Sequence, residues 1–237
     1  MPHNDAAEHE LTQAMNSDGL ADIDLLPCYR AWLAALRGDS AAAQTMLAGL
    51  RDLRASEDSQ DIAIISVAEA FTALACQQPQ RVLRDARATL ADADTVGISY
   101  EYQRWAWPLA ARAAFDLDDT GATGELLAML GSYQPGQLAP MLQAERDLVR
   151  ARLAARDNDQ AAAAPFAAAI SGLREHGTPY HLAHGLLDQA GYLTSLGDTA
   201  DAEAAISEAC DIAHRLRCQP LLDRAADLRS ARPPVQA

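Results

Sequence analysis

The sequence is poor in the residues that fill β-sheets. Only 13 of its 237 residues are Val or Ile, and aromatic residues make up 5%. Pleated sheet faces need branched and aromatic side chains, so this composition argues against sheet-containing folds. Strong helix formers take their place, with 52 Ala and 31 Leu, and 49% of the chain is apolar. The composition predicts an ordered, all-α protein.

Features of nucleic-acid-binding, membrane and secreted proteins are also missing. Lys is absent, and 33 acidic residues against 19 Arg give a net charge of −14, which repels nucleic acid. The longest apolar run, 161–170, is half the length of about 20 residues that a membrane span needs. Residues 1–19 have neither the cationic start nor the apolar stretch of a secretion signal. We therefore expect a cytoplasmic protein without direct nucleic-acid or membrane partners.

Metal-binding and catalytic patterns are not evident either. None of the four cysteines forms a CxxC pair, which favours reduced core thiols at Cys28, Cys76, Cys210 and Cys218. His181 and His184 have a spacing that two metal ligands can use, but a third ligand is not evident. The chain contains no GxGxxG, Walker A, GxSxG or HExxH motif. These absences predict a protein that is not an enzyme and holds no metal or cofactor.

Polar breaks interrupt the helical pattern at a regular interval. One marker residue in each break shows the period: Gly38, Gln78, Asp118, Asn158 and Gly197 recur about every 40 positions. The first three intervals are equal, and the fourth is one position shorter. Five breaks at one period predict five structural repeats.

Each repeat is predicted to contain two helices. The residues 5, 8 and 12 positions after the markers are apolar in fourteen of fifteen cases and share one helix face. The first helices are predicted at 21–37, 61–76, 99–117, 138–156 and 180–196. The second helices are predicted at 40–55, 79–94, 120–132, 159–175 and 199–216. A single helix pair cannot bury its apolar face, so the pattern predicts a right-handed α-solenoid of about five antiparallel pairs.

Shorter segments flank the repeats. Residues 6–16 and 220–229 have apolar side chains at helical spacing, and we expect short capping helices that cover the two ends of the stack. The predicted organisation is an N-terminal short helix or arm at 1–19, a repeat domain at 20–230 and a tail at 231–237.

The first and fifth repeats carry a recognisable pattern. The residues five, nine and twelve positions after Gly197 are Ala202, Ile206 and Ala209. The corresponding residues after Gly38 are Ala43, Leu47 and Leu50. This pattern resembles the tetratricopeptide repeat, although the period of about 40 exceeds the usual 34. It is similar to the longer, divergent repeats of bacterial signalling ATPases and of LuxR-type or cyclase-linked regulators.

The resemblance implies a concave groove lined by the first helices. The groove positions of the family correspond here to Trp32, Trp105, Arg112, Glu145, Arg152 and His184. Arg112 and Arg152 are one repeat period apart, so their guanidinium groups are in phase and suited to holding a carboxylate between them. The alternative is that both arginines pair with Glu145 or Asp116 and that the Trp side chains belong to the core.

The first helix of the third repeat, predicted at 99–117, is unusually rich in aromatic residues. Residues 100–107 contain four of the nine Trp and Tyr residues, on two faces of the predicted helix. We expect one of these faces to pack inward and the other to meet a partner. Pro108 is expected to lie within this helix or to break it.

These patterns favour a non-catalytic scaffold that binds a protein or peptide. The resemblance implies a regulatory module of a bacterial signalling or transcription system. Two alternatives stay open, a self-association module that forms a homodimer and a small-molecule sensor.

Overall fold

A computed structural model describes residues 25–134, 136–156 and 162–231. Within these ranges the chain forms thirteen helices and no strand, which confirms the all-α prediction. None of these helices has both the length and the apolar character needed to cross a bilayer. The predicted helix at 6–16, the marker Asn158 and the tail from 232 lie outside the described residues.

The chain divides into two compact units, 1–138 and 139–237. The described helices of unit 1 are α1 (Leu26–Leu36), α2 (Ser40–Ala48), α3 (Arg51–Arg54), α4 (Ser59–Ala75), α5 (Pro79–Leu90), α6 (Ala93–Val96), α7 (Glu101–Asp116) and α8 (Thr120–Gly131). Those of unit 2 are α9 (Pro140–Arg156), α10 (Ala163–His176), α11 (Pro179–Ser195), α12 (Thr199–Leu216) and α13 (Gln219–Ser230).

The longer helices form consecutive pairs, each made of a first and a second helix. We call α1, α4, α7, α9 and α11 the first helices, and α2, α5, α8, α10 and α12 the second helices. Each first helix packs against the second helix that follows it, and first helices pack against each other within a unit, α1 on α4, α4 on α7 and α9 on α11. Small residues allow this close approach, since Ala31, Ala111, Ala151 and Ala190 are at most 1% exposed.

Three of the turns within helix pairs share one hydrogen-bonded geometry. Gly38, Asp118 and Gly197 have positive φ angles of 83°, 56° and 79°. The aspartate after each of them donates its backbone N–H to the carbonyl five residues earlier, at 2.9–3.0 Å. The side chain of the same aspartate caps the second helix, as Asp39 does by accepting from the Ala42 N–H at 3.0 Å. One aspartate therefore helps to end one helix and begins the next.

The second turn has the same backbone geometry but a shifted marker. The left-handed residue is Gln77, with a φ of 55°, not the predicted Gln78. No side chain caps the next helix, which begins at Pro79; proline suits this first position because its φ is already helical and it has no N–H that needs an acceptor. Counted from Gln77, the fifth residue on is Val82, which is buried like its counterparts after the other turns, Ala43, Thr123 and Ala202. The first interval is therefore one position shorter than predicted, and the second is one position longer.

The positive φ angles at these turns predict opposite effects for introducing a glycine at position 77 and for replacing the glycine at position 197. Gln77→Gly should stabilise the protein by roughly 0.5–1 kcal/mol, because a non-glycine residue is strained at positive φ. Gly197→Ala should cost a similar amount through backbone strain alone, since an added Cβ would meet nothing within 4 Å. Urea unfolding followed by circular dichroism measures both. A loss of stability in both variants would show that left-handed strain is not what distinguishes the two positions.

Two predicted second helices are shorter than expected. The helix predicted at 40–55 ends at Ala48 and is followed by the single turn α3, and the helix predicted at 79–94 ends at Leu90 before the single turn α6. Each short turn buries one apolar residue, Leu53 in α3 and Ala93 in α6. Apolar periodicity continued through both breaks, so the sequence pattern alone predicted longer helices.

Helix α7 differs from the prediction of one inward and one free aromatic face. Pro108 lies inside the helix and is buried. Trp107 is 0% exposed and Tyr102 is 6% exposed, so each of the two faces contributes a buried ring. The expectation of a free ring-bearing face is therefore wrong. Tyr100, which directly precedes the helix, is 38% exposed.

Candidate partner-binding surface

An aromatic cluster connects the first helices of unit 1. The Trp32 ring of α1 lies 4.6 Å from the Phe71 ring of α4 and 5.0 Å from the Trp105 ring of α7, measured between centroids. The Tyr29 and Tyr102 hydroxyl oxygens are 3.0 Å apart. Tyr29 and Trp32, like Tyr102 and Trp105, are three residues apart and share a helix face. The cluster therefore follows from one aromatic face on each of two helices, with Phe71 between them.

The cluster is uncharged and mostly buried. Trp32 is 7% exposed, whereas Trp105 is half-buried and reaches the surface. Burial raises the pKa of both Tyr29 and Tyr102, so the two phenols stay protonated at neutral pH. The Trp32 Nε1 is buried without a hydrogen-bond partner in the described part of the chain. The cluster is thus an apolar feature that contains one buried indole N–H.

Arg112 lies on the same helix as Trp105, seven residues later and two turns along the same face. Its side chain is half-buried. Helix α7 therefore carries an aromatic ring and a cation two turns apart on one face, and both residue types are frequent among those that contribute most to protein interfaces.

An ionic cluster connects first helices and α13 in unit 2. The Asp188 carboxylate of α11 has 2% side-chain exposure and lies 3.6 Å from the Arg152 guanidinium of α9. The same carboxylate accepts a hydrogen bond from Arg224 of α13. A buried carboxylate requires such partners because its desolvation is otherwise expensive. Asp188 therefore ties three helices together.

His184 completes this cluster. Its Nδ1 lies 3.2 Å from an Arg224 guanidinium nitrogen. Because arginine can only donate, the histidine nitrogen accepts and carries no proton at that position. The Tyr180 ring packs against the His184 ring at 4.6 Å in an edge arrangement. Arg224 is 34% exposed, so its guanidinium also reaches solvent.

The structure brings some of the predicted groove residues together. Trp32 and Trp105 meet in unit 1, and Arg152 and His184 both border the cluster around Asp188 and Arg224 in unit 2. Glu145 lies on α9 seven residues before Arg152 and is 1% exposed. The assignment of these residues to a partner-binding groove stays a prediction.

Sequence reasoning missed Asp188 and Arg224. The sequence predicted that Arg152 binds either a carboxylate of a partner molecule or, within the chain, Glu145 or Asp116. In the structure Arg152 also contacts Asp188 of the next first helix. A signal was present for Asp188, which stands one helical turn after His184 on the same face. Arg224 also carried a signal, since it stands 40 residues, one repeat period, after His184.

Histidines and acids in the described residues form no group of three potential metal ligands. His181 is buried, and its Nδ1 lies 2.7 Å from the Thr178 hydroxyl at the start of α11. This contact gives His181 a structural role at the beginning of that helix.

The cysteines fall into two classes. Cys28 and Cys218 are at most 1% exposed, and burial raises the pKa of these thiols to about 12 and about 11. Cys76 and Cys210 are half-buried, so only two of the four predicted core thiols lie fully in the core.

This difference predicts two rates of thiol modification. At pH 8, Cys76 and Cys210 should react with an aromatic disulfide reagent, while Cys28 and Cys218 should react only after unfolding in urea, because the reactive species is the thiolate. The free energy of unfolding should also fall as the pH rises from 9 towards 12. Over this range the Cys28 thiol, with a pKa of 9.0 in the unfolded chain, ionises there before the buried thiol of the folded protein does. Four equally reactive thiols in the folded protein would contradict the burial of Cys28 and Cys218.

Comparison with known proteins finds no protein-family model, no curated protein and no solved structure that matches this chain.

Proposed function

We propose that the chain is a non-catalytic scaffold, a right-handed α-solenoid of antiparallel helix pairs that binds a protein or peptide along its first helices. In this proposal it is a regulatory module of a bacterial signalling or transcription system. The site comprises the six predicted residues, Trp32, Trp105, Arg112, Glu145, Arg152 and His184.

The recurring turn geometry supports the repeat architecture. Equivalent left-handed residues end the first helix of three described pairs in unit 1 and one in unit 2. Contacts between helices of the same role also support it. Arg87 of α5 bonds Glu125 of α8, and Arg174 of α10 bonds Glu208 of α12, so second helices meet second helices across the exposed face. First helices meet first helices in the same way. Such neighbour-to-neighbour packing is what a stack of helix pairs requires.

The distribution of side-chain chemistry supports a binding surface on the first helices. The aromatic cluster around Trp32 is made entirely by first helices, and the ionic cluster around Asp188 by first helices and α13. The two second-helix pairs named above are simple exposed ion pairs, which contribute little. The single observation that carries the proposal is the aromatic cluster, whose rings all come from first helices.

Quantitative affinity capture from a bacterial lysate tests the binding surface. Trp105→Ala and Arg112→Glu should each reduce capture of the same set of proteins roughly tenfold or more, the loss typical of a central interface residue. Arg87→Glu is the matched control, since it reverses an exposed arginine on a second helix and should leave that set unchanged. Unchanged capture by the α7 variants with helicity preserved would refute the surface. Equal losses in the control would point to nonspecific electrostatic binding instead.

A further inference from the structure

Helix α1 is apolar on two sides, and the described residues cover only one of them. The side formed by Cys28, Ala31, Trp32 and Ala35 is buried, and α1 packs against α4. Leu33 and Ala34, on the other side, are half-buried. Together with residues of α2 they line an open depression, which we call the α1–α2 face: Arg30, Leu33, Ala34, Arg37, Ala42 and Met46, with Asp39 at its edge.

The packing of the helices shows why this face is open. Helix α4 packs against α1, α2 and α3 and also against α5 and α7. Helix α2 packs mainly against α1 and α4, and α1 packs mainly against α2 and α4 while its Tyr29 and Trp32 also contact α7. The α1–α2 face is therefore the end of unit 1 in the described part of the chain. Ends of helix stacks need a cover with a polar outer surface.

The charged residues of the α1–α2 face indicate what kind of segment would bind there. Arg30 of α1 and Arg37, which directly follows α1, stand about two helical turns apart, roughly 10 Å, and both line the depression. The Asp39 carboxylate already accepts from the Ala42 N–H as the cap of α2. An apolar strip bordered by two arginines suits an amphipathic segment with acidic flanks.

The segment 1–24, which precedes the described chain, has this chemistry. It contains six acidic residues and no Arg. At helical spacing, Ala7, Leu11 and Ala14 form one apolar stripe. Glu8 and Glu10 lie on opposite flanks of that stripe at about 100° per residue. The stripe ends about a dozen positions before α1, and a chain of that length can span roughly 40 Å, ample to reach the α1–α2 face.

We propose that residues 5–16 of this chain dock on the α1–α2 face, with Leu11 against the apolar strip and the carboxylates of Glu8 and Glu10 at Arg30 and Arg37. The segment then covers the end of unit 1 and removes its apolar strip from water. The contact involves none of the six residues of the proposed binding surface.

The absence of lysine makes a direct test simple. In the full-length Arg37→Lys variant, residue 37 carries the only lysine side chain. A water-soluble carbodiimide couples an amine to a carboxylate that is already in contact with it, with loss of one water. Peptide mass spectrometry of the monomer should identify a link from Lys at position 37 to Glu8 or Glu10. Adding Leu11→Asp should lower the yield of that link roughly tenfold, because the buried leucine contact is lost.

A matched control uses a pair whose contact is already described. Arg87→Lys should link to Glu125, since the wild-type side chains meet at 2.6 Å. With this control positive, a link from position 37 only to Asp39, or no link, would overturn the proposal. A link to Glu8 or Glu10 between two chains, detected in a mixture of isotopically light and heavy protein, would also overturn it and would assign the face to a second copy.

Discussion

Asp188→Ala is expected to lower the free energy of unfolding by about 3–5 kcal/mol. The substitution removes the carboxylate that Arg152 and Arg224 share, and it leaves the Arg152 guanidinium at 10% exposure without that partner. The cost arises because both guanidinium groups lose the buried carboxylate that they contact. Chemical unfolding followed by circular dichroism measures it.

A control for this prediction is the exposed pair between Arg174 and Glu208. Glu208→Gln removes an ion pair of 2.5 Å whose side chains are 53% and 39% exposed, so it should cost at most about 1 kcal/mol. Similar losses for Asp188→Ala and Glu208→Gln would show that the ionic cluster of unit 2 is no more important than a surface pair.

Trp107→Ala is expected to cost about 3–5 kcal/mol, the range for removing a large aromatic side chain from a core. Trp107 is 0% exposed, and its indole N–H donates to the Leu126 carbonyl of α8 at 3.0 Å. Trp107→Phe keeps a ring but loses this hydrogen bond and part of the indole's volume, so an intermediate loss of about 1–3 kcal/mol is expected. Urea unfolding of the two variants separates the packing contribution from the hydrogen bond.

Leu196→Ala is the matched control, because it also shortens an apolar side chain but at a position that is 46% exposed. Its cost should stay within about 0.5 kcal/mol. A Trp107→Phe variant as stable as the wild type would show that the contact with Leu126 adds nothing to the packing of α7 on α8.

Much of the helix pattern was predictable because local rules fix both ends of most helices. The helix predicted at 199–216 coincides with α12, since Asp198 caps its start and Arg217 adopts a left-handed conformation at its end. The second turn was placed one residue late because Gln77 and Gln78 are chemically identical, and only the backbone reveals which is left-handed. Nothing local distinguishes the break after Ala48 from a continuing helix except Gly49.

The candidate site was predictable only in part. Trp32 and Trp105 were both predicted to line the groove, and the structure brings their rings to 5.0 Å although α4 lies between their helices in chain order. The contact between Arg152 and Asp188 could not be predicted in the same way. The two residues and Arg224 lie on three different helices, and the repeat period does not indicate which side chains face one another there. The repeat period indicates which face of its helix a residue occupies. Which ion pair it forms depends on the side chains that other helices place opposite that face.

The proposed scaffold requires that equivalent helices stack in chain order. Spin labels at the third residue after each left-handed residue can test this order, since Ala41, Gln80, Gly121 and Ala200 are equivalent and exposed. Cysteine would replace these residues in pairs, in a chain with Cys76→Ser and Cys210→Ser, leaving only the two buried native thiols.

Electron–electron distance measurements on these pairs give the order directly. In a stack, the distance from position 41 should increase from 80 to 121 to 200, by about 10 Å for each helix pair, the usual spacing of packed helices. A distance from 41 to 200 equal to or shorter than that from 41 to 121 would contradict the stacked arrangement and the continuous surface of first helices that depends on it.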